Sequence, residues 1–346
     1  MKTQSGLETL FPGYFAMVMA TGIVSIDASL LGMSALATVL FVVNIGAYAV
    51  LWSLTFVRIA CYPAAMLADL RNPSRCVTFL TAVAGTCILG NQFALLTSFD
   101  VVPRILWMIG ALLWVMLIYG FFTAAILRDP KPSLAEGING AWLLIVVSSQ
   151  SVAVLGTLIA KGTPWPGTVL FVSLAMFLLG LVLYLLLFVL ILYRWLFFDV
   201  SAEAMTPPYW INMGALAITT LAGARLLSVT GLWVALPELS PVIKTLTLYT
   251  IMVTGCIWEK VVFGRYLFAP AFFWEDVFSM LVLALHTAYL VALLTDTLGA
   301  RQQMYLALAA YATYVINATQ FILKLRAARL DHARQQSGVT PRELAA

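Results

Sequence analysis

An uncharged stretch close to the N-terminus decides what kind of fold this chain can adopt. From Thr9 to Ile26 the sequence carries no charged side chain, and about 20 apolar residues are enough to cross a bilayer as a helix. Pro12 suits the first turn of such a helix, because that turn does not use the N–H group that proline lacks. The small and polar residues 20–22 interrupt the stretch halfway, where another helix or a solute could approach closely. The stretch therefore predicts a membrane span that does more than anchor the chain.

The composition of the whole chain indicates a membrane protein with many spans. Of its 346 residues, 62% are hydrophobic and 10% are charged, whereas soluble domains contain about 25% charged residues. The four cysteines show no CxxC spacing, so we expect neither a disulfide framework nor a metal site. Of the two histidines only His286 lies in an apolar stretch, which argues against a haem held by two histidines within the bilayer. The first apolar stretch is long enough to span, and we expect no cleavable signal peptide.

The uncharged stretches predict ten spans and an orientation. With the N-terminus placed inside, fourteen of the nineteen lysines and arginines lie in inner loops, and loops rich in these residues stay in the cytoplasm. We therefore expect a protein of the cell membrane with both termini cytoplasmic, and a basic cytoplasmic tail. The predicted parts are an N-terminal segment at 1–10, a transmembrane domain at 11–325 and the tail at 326–346. The predicted spans are 11–31, 37–57, 77–98, 105–126, 138–160, 168–193, 207–228, 241–263, 277–295 and 303–323.

An internal repeat with the length of one helical hairpin runs through these spans. An aromatic residue marks the start of each odd-numbered span, and successive aromatics are 65, 63, 68 and 64 residues apart. Because polar side chains inside a bilayer usually face the bundle interior, the more polar odd-numbered spans are expected to lie inside. The predicted fold is an all-α membrane protein of five helical hairpins around a central pore, with pseudo-fivefold symmetry. The marker residues are Tyr14, Phe79, Trp142, Trp210 and Trp274.

Small and polar residues near the middle of the odd-numbered spans are candidates for lining this pore. Hydroxyl and amide donors can replace part of the hydration shell of an anion without holding it too tightly. The alternative is that they join packed helices, at about 0.6 kcal/mol per hydrogen bond. For the histidine, the alternatives are a core residue and a pore residue that makes conductance depend on pH. The candidates are Thr21, Gly22, Thr86, Ser148, Ser149, Gln150, Thr219, Thr220 and His286.

Two charges lie inside otherwise apolar spans, Asp27 in the first and Arg225 in the seventh. Both are near the outer ends of inward-facing helices, so we expect them to form an ion pair across the bundle. A role in proton coupling or anion selectivity is the alternative. An unpaired carboxylate in an anion path would repel the substrate, and pairing with the arginine would remove that repulsion.

The first span resembles the first helix of the tellurite-resistance/dicarboxylate transporter family. The resemblance rests on Pro-Gly-Tyr-Phe at 12–15 and Ala-Thr-Gly-Ile-Val-Ser at 20–25, and the ten-span layout extends it over nearly the whole chain. That family includes the bacterial TehA proteins, fungal malate permeases and the slow anion channels of plant guard cells. The resemblance implies a pore of five inner helices, assembly as a homotrimer and a phenylalanine gate. Phe278, which follows the aromatic pair at 273–274, matches that gate, with Ser279 in place of the family's Pro or Gly.

These features together predict transport of small anions and no enzymatic activity. The family's substrates are C4-dicarboxylates such as malate, and chloride, nitrate, sulfite and tellurite. Small anions and membrane lipid are the expected partners; nucleic acid, a cofactor and a metal are not expected. The alternative is a membrane-embedded enzyme or quinone-site subunit that uses Asp27, Arg225 and His286, because such a site needs converging titratable groups.

Overall fold

A computed structural model of the chain describes residues 6–199, 207–230, 268, 273–295, 297–299, 301–313, 315–316 and 319–320. Every regular element in these ranges is helical, and residues 301–313 are helical as well. The chain divides into two compact units, Met1–Thr247 and Leu248–Ala346. The helices are α1 Ala16–Leu30, α2 Ser34–Cys61, α3 Pro63–Arg71, α4 Pro73–Cys76, α5 Leu80–Leu96, α6 Val101–Leu127, α7 Leu134–Gly137, α8 Leu144–Ile159, α9 Pro166–Phe197, α10 Ile211–Thr230 and α11 Phe273–Thr295.

The first seven predicted spans are confirmed as helices that are long and apolar enough to cross a membrane. They cover Pro12–Leu30, Ser34–Cys61, Pro73–Leu96, Val101–Leu127, Gly140–Gly162, Pro166–Phe197 and Pro208–Val229. The eighth predicted span, 241–263, and the basic tail at 326–346 lie outside the described residues. The ninth falls in α11, whose apolar part, Asp276–Tyr289, is shorter than a span. The ten-helix, pseudo-fivefold arrangement thus stays a prediction.

In the first unit, the odd-numbered spans pack side by side. α1 packs on α5, α5 on α8, and α8 on α10, while α2, α6 and α9 each pack on the inner helix that precedes them. In the most apolar 18 residues of each span, the buried share is 78% for the span that contains α5 and 94% for the span that contains α8. The same share is 22–28% for the spans α2, α6 and α9. We call the row α1–α5–α8–α10 the inner row. Its helices carry the polar residues that the sequence pattern singles out on spans one, three, five and seven.

The aromatic repeat has a structural counterpart, because the four helices of the inner row all begin with a 3-10 turn. The turns are Pro12–Phe15, Val77–Phe79, Gly140–Leu143 and Pro207–Trp210, and each contains one of the marker aromatics. A 3-10 turn is tighter than an α-helical turn and is common at helix ends. Trp274, the fifth marker, lies in the first turn of α11.

Two buried arginines fasten the ends of outer helices to the starts of inner ones. Arg58, near the end of α2, donates from Nε and Nη2 to the backbone oxygen of Glu8, at 3.1 and 3.0 Å. Arg194, near the end of α9, donates from Nη1 to the backbone oxygen of Ile138 at 2.8 Å. Glu8 and Ile138 each stand just before the 3-10 turn that opens the inner helix of the same hairpin. In the first and third hairpins, therefore, a hydrogen bond from a buried arginine to a backbone oxygen joins the outer helix to the start of the inner helix.

The Arg58 guanidinium belongs to a small charged cluster at this end of the bundle. Its Nη2 lies 2.7 Å from Oδ2 of Asp69 on α3, and Arg75 Nε on α4 lies 2.6 Å from Oδ1 of the same carboxylate. Asn72 begins α4 by accepting the N–H of Ser74 at 3.0 Å, which fixes the turn between α3 and α4. We call the Arg58–Asp69–Arg75 group the arginine cluster. It holds α3 and α4 against the end of α2.

Candidate functional site

A buried pair of amide side chains joins α2 to α5 beside the middle of α1. Asn44 Nδ2 donates to Gln92 Oε1 at 2.6 Å, and both residues are fully buried. Gly22 of α1 faces this pair: a Cβ there would lie 3.0 Å from Asn44 Nδ2 and 3.2 Å from Gln92 Oε1. The absence of a side chain at Gly22 therefore lets three helices meet at a polar point.

Neither amide of this pair was expected from the sequence. The sequence pattern predicts inward polar residues in the odd-numbered spans, whereas Asn44 turns inward from α2, an even-numbered span. A single asparagine in the middle of a long apolar helix is the signal that could have found it, since such residues usually face the bundle interior. Gln92 was missed because it lies six residues beyond Thr86 on α5, nearly two turns away and outside the small and polar residues near the middle of that span.

Four amide oxygens or nitrogens on α2, α5 and α8 are buried without a hydrogen-bond partner in the described part of the chain. An unpaired buried polar atom costs about 1–3 kcal/mol, so a group of them needs an explanation. Gln150 shows the pattern on α8: its Nε2 donates to the backbone oxygen of Phe177 at 3.1 Å, and its Oε1 has no partner. The four atoms are Asn44 Oδ1, Asn91 Oδ1, Gln92 Nε2 and Gln150 Oε1. We call these four side chains the amide set.

The hydroxyl groups among the predicted pore-lining residues bond mostly within their own helices. Each donates to a backbone oxygen three or four residues earlier, at 2.7–3.0 Å; these are Thr86, Ser148, Ser149, Thr219 and Thr220. A hydroxyl has one proton, so this geometry leaves its oxygen as an acceptor rather than a donor. The remaining predicted pore-lining residue with a hydroxyl group, Thr21, is half-buried on α1.

Two of these hydroxyls also join helices. Thr86 Oγ1 lies 2.9 Å from the Tyr48 hydroxyl of α2, and Trp114 Nε1 of α6 donates to Ser149 Oγ at 3.0 Å. Helix-to-helix bonding, the alternative raised by the sequence, therefore accounts for part of the polar content of α5 and α8. The amide set is the more suitable group for contacting a solute, because Gln92 Nε2 is an uncommitted donor.

The two predicted partners Asp27 and Arg225 are not joined by an ion pair in this structure. Both ion pairs among the described residues converge instead on Asp69. The reason is geometric: Asp27 lies on α1 and Arg225 on α10, which are the two ends of the inner row with α5 and α8 between them. Arg225 Nε is buried without a partner. A pair between these charges stays a prediction that requires the row to close into a ring.

The second unit carries two further predicted residues on α11. Phe278 is half-buried, and His286 is half-buried with Nδ1 2.8 Å from the backbone oxygen of Val282, one turn earlier in the helix. Asp276, at 2% exposure, accepts the backbone N–H of Phe268. Within the described ranges no group of three or more histidine, cysteine or acidic side chains is arranged to hold a metal.

Comparison with known proteins connects the C-terminal part of the chain to an enzyme family. Residues 215–327 match the 2-vinyl bacteriochlorophyllide hydratase family. The 2-vinyl bacteriochlorophyllide hydratase of Rhodobacter capsulatus is 70% identical over 100 residues, which are 29% of this chain and 58% of that protein. The hydratase of Cereibacter sphaeroides is 70% identical over 102 residues, 30% of this chain and 63% of that protein. The chain thus spans about six tenths of the length of these curated relatives.

A more distant similarity covers a longer part of the chain. An uncharacterized transporter of Methanocaldococcus jannaschii is 24% identical over 226 residues, which are 63% of this chain and 66% of that protein. A second uncharacterized transporter of the same organism is 22% identical over 223 residues, 62% of this chain and 64% of that protein. These similarities and the seven apolar helices support a multi-pass membrane protein of a transporter type.

The expectation that the chain has no enzymatic character is wrong. It is overturned by the 70% identity between the C-terminal part and two hydratases. The apolar helices and the hairpin-length spacing could not reveal the similarity to an enzyme family, because transporters and membrane-bound enzymes share both features. Five of the predicted site residues fall within the matched range 215–327: Thr219, Thr220, Arg225, Phe278 and His286.

Proposed function

We propose that the first unit transports small anions across the cell membrane along the inner row. The observation that carries this proposal is the Gln92 amide of the amide set, which is fully buried and whose Nε2 donor has no partner among the described residues. A polar group that is left unpaired in an apolar bundle lowers stability. A passing solute that has lost part of its hydration shell would supply the missing partner.

The donor of the site is the Gln92 amide, which lies where Gly22 lets α1 approach α2 and α5 closely. An anion that leaves water needs N–H or O–H donors to replace its hydration shell, and Gln92 Nε2 is a donor without a partner among the described residues. The hydroxyls of Thr86 on α5 and Ser148 on α8 donate to their own helices, so each would have to break that bond and rotate before it could donate to a passing anion. The substrates that we propose are chloride, nitrate, sulfite, tellurite and C4-dicarboxylates such as malate.

The test is anion flux from proteoliposomes that contain the full chain. Gln92→Glu keeps the shape of the side chain but introduces a carboxylate, so we expect anion flux to fall at least tenfold. Ser53→Ala, on the exposed side of α2, is the matched control and is expected to leave flux unchanged. Wild-type anion flux retained by Gln92→Glu would contradict the proposal, and so would the absence of flux in the wild type.

Three finer proposals can be tested on the same preparation: two of them, the Phe278 gate and the homotrimer, follow from the family resemblance, and the third follows from the position of His286 in a span. If Phe278 closes the pore, Phe278→Ala raises flux without a change in folding. If His286 lines the pore, His286→Phe, which removes the polar ring, changes flux. Assembly as a homotrimer is measured on the same preparation by the mass of the detergent-solubilised complex.

We propose a second function for the C-terminal part, because of its 70% identity with two hydratases. This function is the addition of water to the vinyl group of a bacteriochlorophyllide. The reaction places a proton on one vinyl carbon and a hydroxyl group on the other, so a water molecule is consumed and nothing is released. It needs a group that delivers the proton and a group that takes one from the attacking water.

Asp276 is the proposed proton-exchanging group of this part and His286 is the alternative, because the two lie ten residues apart on one helix, about 15 Å, and cannot act on the same vinyl group. Within residues 273–295, Asp276 is the carboxylate and His286 the imidazole whose side chain the structure describes. Asp276 is buried and held by the N–H of Phe268. The His286 ring has one nitrogen engaged by Val282, which leaves the other for proton exchange.

Mass spectrometry of the pigment after incubation with the purified full chain tests this second function. We expect a product heavier by one water molecule, and we expect Asp276→Asn, which preserves an acceptor for Phe268, to abolish it. Thr295→Val, exposed at the end of the same helix, is the control and should keep the activity. The absence of the product in the wild type would contradict the hydratase proposal and leave the transport proposal unaffected.

A further inference from the structure

A groove of about 600 Å³ lies between α3 and the C-terminal end of α6, outside the inner row. Its charged rim contains Arg71 from the end of α3, and Arg128 and Asp129 from the end of α6. Its floor contains Gly120, where an added Cβ would meet no atom within 4 Å. The missing side chain at Gly120 opens the surface of α6 at this point.

The two arginines of the groove are free to bind an anion. Both are exposed, and neither belongs to an ion pair among the described residues, where the ion pairs are those of the arginine cluster. Asp69, on the same helix as Arg71, already binds Arg58 and Arg75. With Asp129 as the one acidic side chain that lines the groove, the rim carries one net positive charge.

The wall of the groove is suited to contact with lipid. Tyr119 is 70% exposed and Leu127 is 75% exposed, on a helix whose apolar span is largely unburied. Tyr119 lies eight residues before the end of α6, so its exposed ring belongs to the apolar side of the groove. The groove therefore combines an apolar side that follows α6 with a cationic rim at its end.

We propose that this groove binds an anionic phospholipid. Arg71 and Arg128 donate to the phosphate oxygens of the headgroup, because guanidinium and phosphate match in geometry. An acyl chain follows the exposed face of α6 past Tyr119. Basic sites at the cytoplasmic ends of membrane helices recognise anionic headgroups in this way, and the groove lies at the end of the bundle that carries the arginine cluster. This proposal does not depend on either proposed function.

Native mass spectrometry of the full chain titrated with phosphatidylglycerol or with phosphatidylcholine tests the proposal. Each arginine near an anionic lipid contributes about a fivefold gain in affinity. We therefore expect the double variant Arg71→Gln/Arg128→Gln to bind phosphatidylglycerol about 30-fold more weakly. Phosphatidylcholine binding should hardly change, and Asp129→Asn should strengthen phosphatidylglycerol binding by removing a repulsive carboxylate. Arg104→Gln, at the other end of the same helix and bonded to the backbone of Asp100, is the matched control and should bind like the wild type.

Four outcomes would overturn the proposal. The first is equal affinity for the two lipids, and the second is wild-type binding by the double variant. The third is displacement of the lipid by inorganic phosphate at equal concentration, which would indicate a site for free phosphate. The fourth is a dimer that forms without lipid and is lost in the double variant, which would indicate a contact between copies of the chain. Because both arginines are exposed, the variants should unfold at the wild-type temperature, and circular dichroism verifies this.

Discussion

Replacement of Asp69 by asparagine tests the arginine cluster, because this one carboxylate binds two guanidinium groups. Its oxygens lie 2.7 Å from Arg58 Nη2 and 2.6 Å from Arg75 Nε. The Arg58 side chain is 3% exposed and that of Asp69 10%, whereas the Arg75 side chain is 38% exposed. The substitution keeps the size of the side chain and removes the charge, so Arg58 stays buried without a counter-ion.

The expected cost comes almost entirely from Arg58. Removing one member of a buried ion pair costs about 3–5 kcal/mol, and Arg58 keeps two bonds to the backbone oxygen of Glu8, which places the value near the lower end. The exposed pair with Arg75 adds about 0–1 kcal/mol. We therefore expect Asp69→Asn to lower the free energy of unfolding by about 3–4 kcal/mol, and Arg75→Gln to lower it by less than about 1 kcal/mol.

The measurement is reversible unfolding in mixed micelles of a mild detergent and dodecyl sulfate, followed by circular dichroism. The double variant Arg58→Met/Asp69→Leu completes the comparison: because it leaves no buried charge, it should recover most of the lost stability. Equal losses for Asp69→Asn and Arg75→Gln would refute the reasoning, since burial would then not determine the cost. A double variant as unstable as Asp69→Asn would refute it as well.

Two further substitutions test the packing of the bundle in the same unfolding assay. Gly22→Ala places a methyl group 2.4 Å from Ile88 Cγ2 and should lower the free energy of unfolding by about 1–3 kcal/mol through overpacking. Gly46→Ala is the control and should cost nothing, because a Cβ there meets open space. An equal loss of stability in both variants would contradict the role of Gly22. Arg194→Met removes the bonds to the Ile138 oxygen and the Tyr209 hydroxyl. It should cost about 3–6 kcal/mol, since hydrogen bonds from charged groups contribute about 1.5–3 kcal/mol each, and a loss below about 0.5 kcal/mol would show that these bonds do not stabilise the hairpin.

The sequence predicts the helices well because membrane spans depend on local composition. An uncharged stretch such as 9–26 has few ways to satisfy its backbone in lipid other than a helix, and seven of the spans follow directly. The inward position of α5 and α8 could also be predicted, because polar residues avoid lipid. The contacts of the amide set could not, since the meeting of Asn44, Gln92 and Gly22 depends on how three separate helices pack. The binding of Arg58 to Glu8 and Asp69 is non-local in the same sense.

The fifth repeat shows why aromatic spacing alone is a weak guide to a whole fold. Trp274 follows Trp210 by 64 residues, as regularly as the earlier markers follow one another. Yet it stands in a segment that matches a hydratase family, and aromatic residues are enriched at membrane interfaces in membrane proteins of every kind. The first four markers share a second property, a 3-10 turn that opens an inner helix of one row. The shared local structure, rather than the spacing, is therefore the evidence that relates Tyr14, Phe79, Trp142 and Trp210.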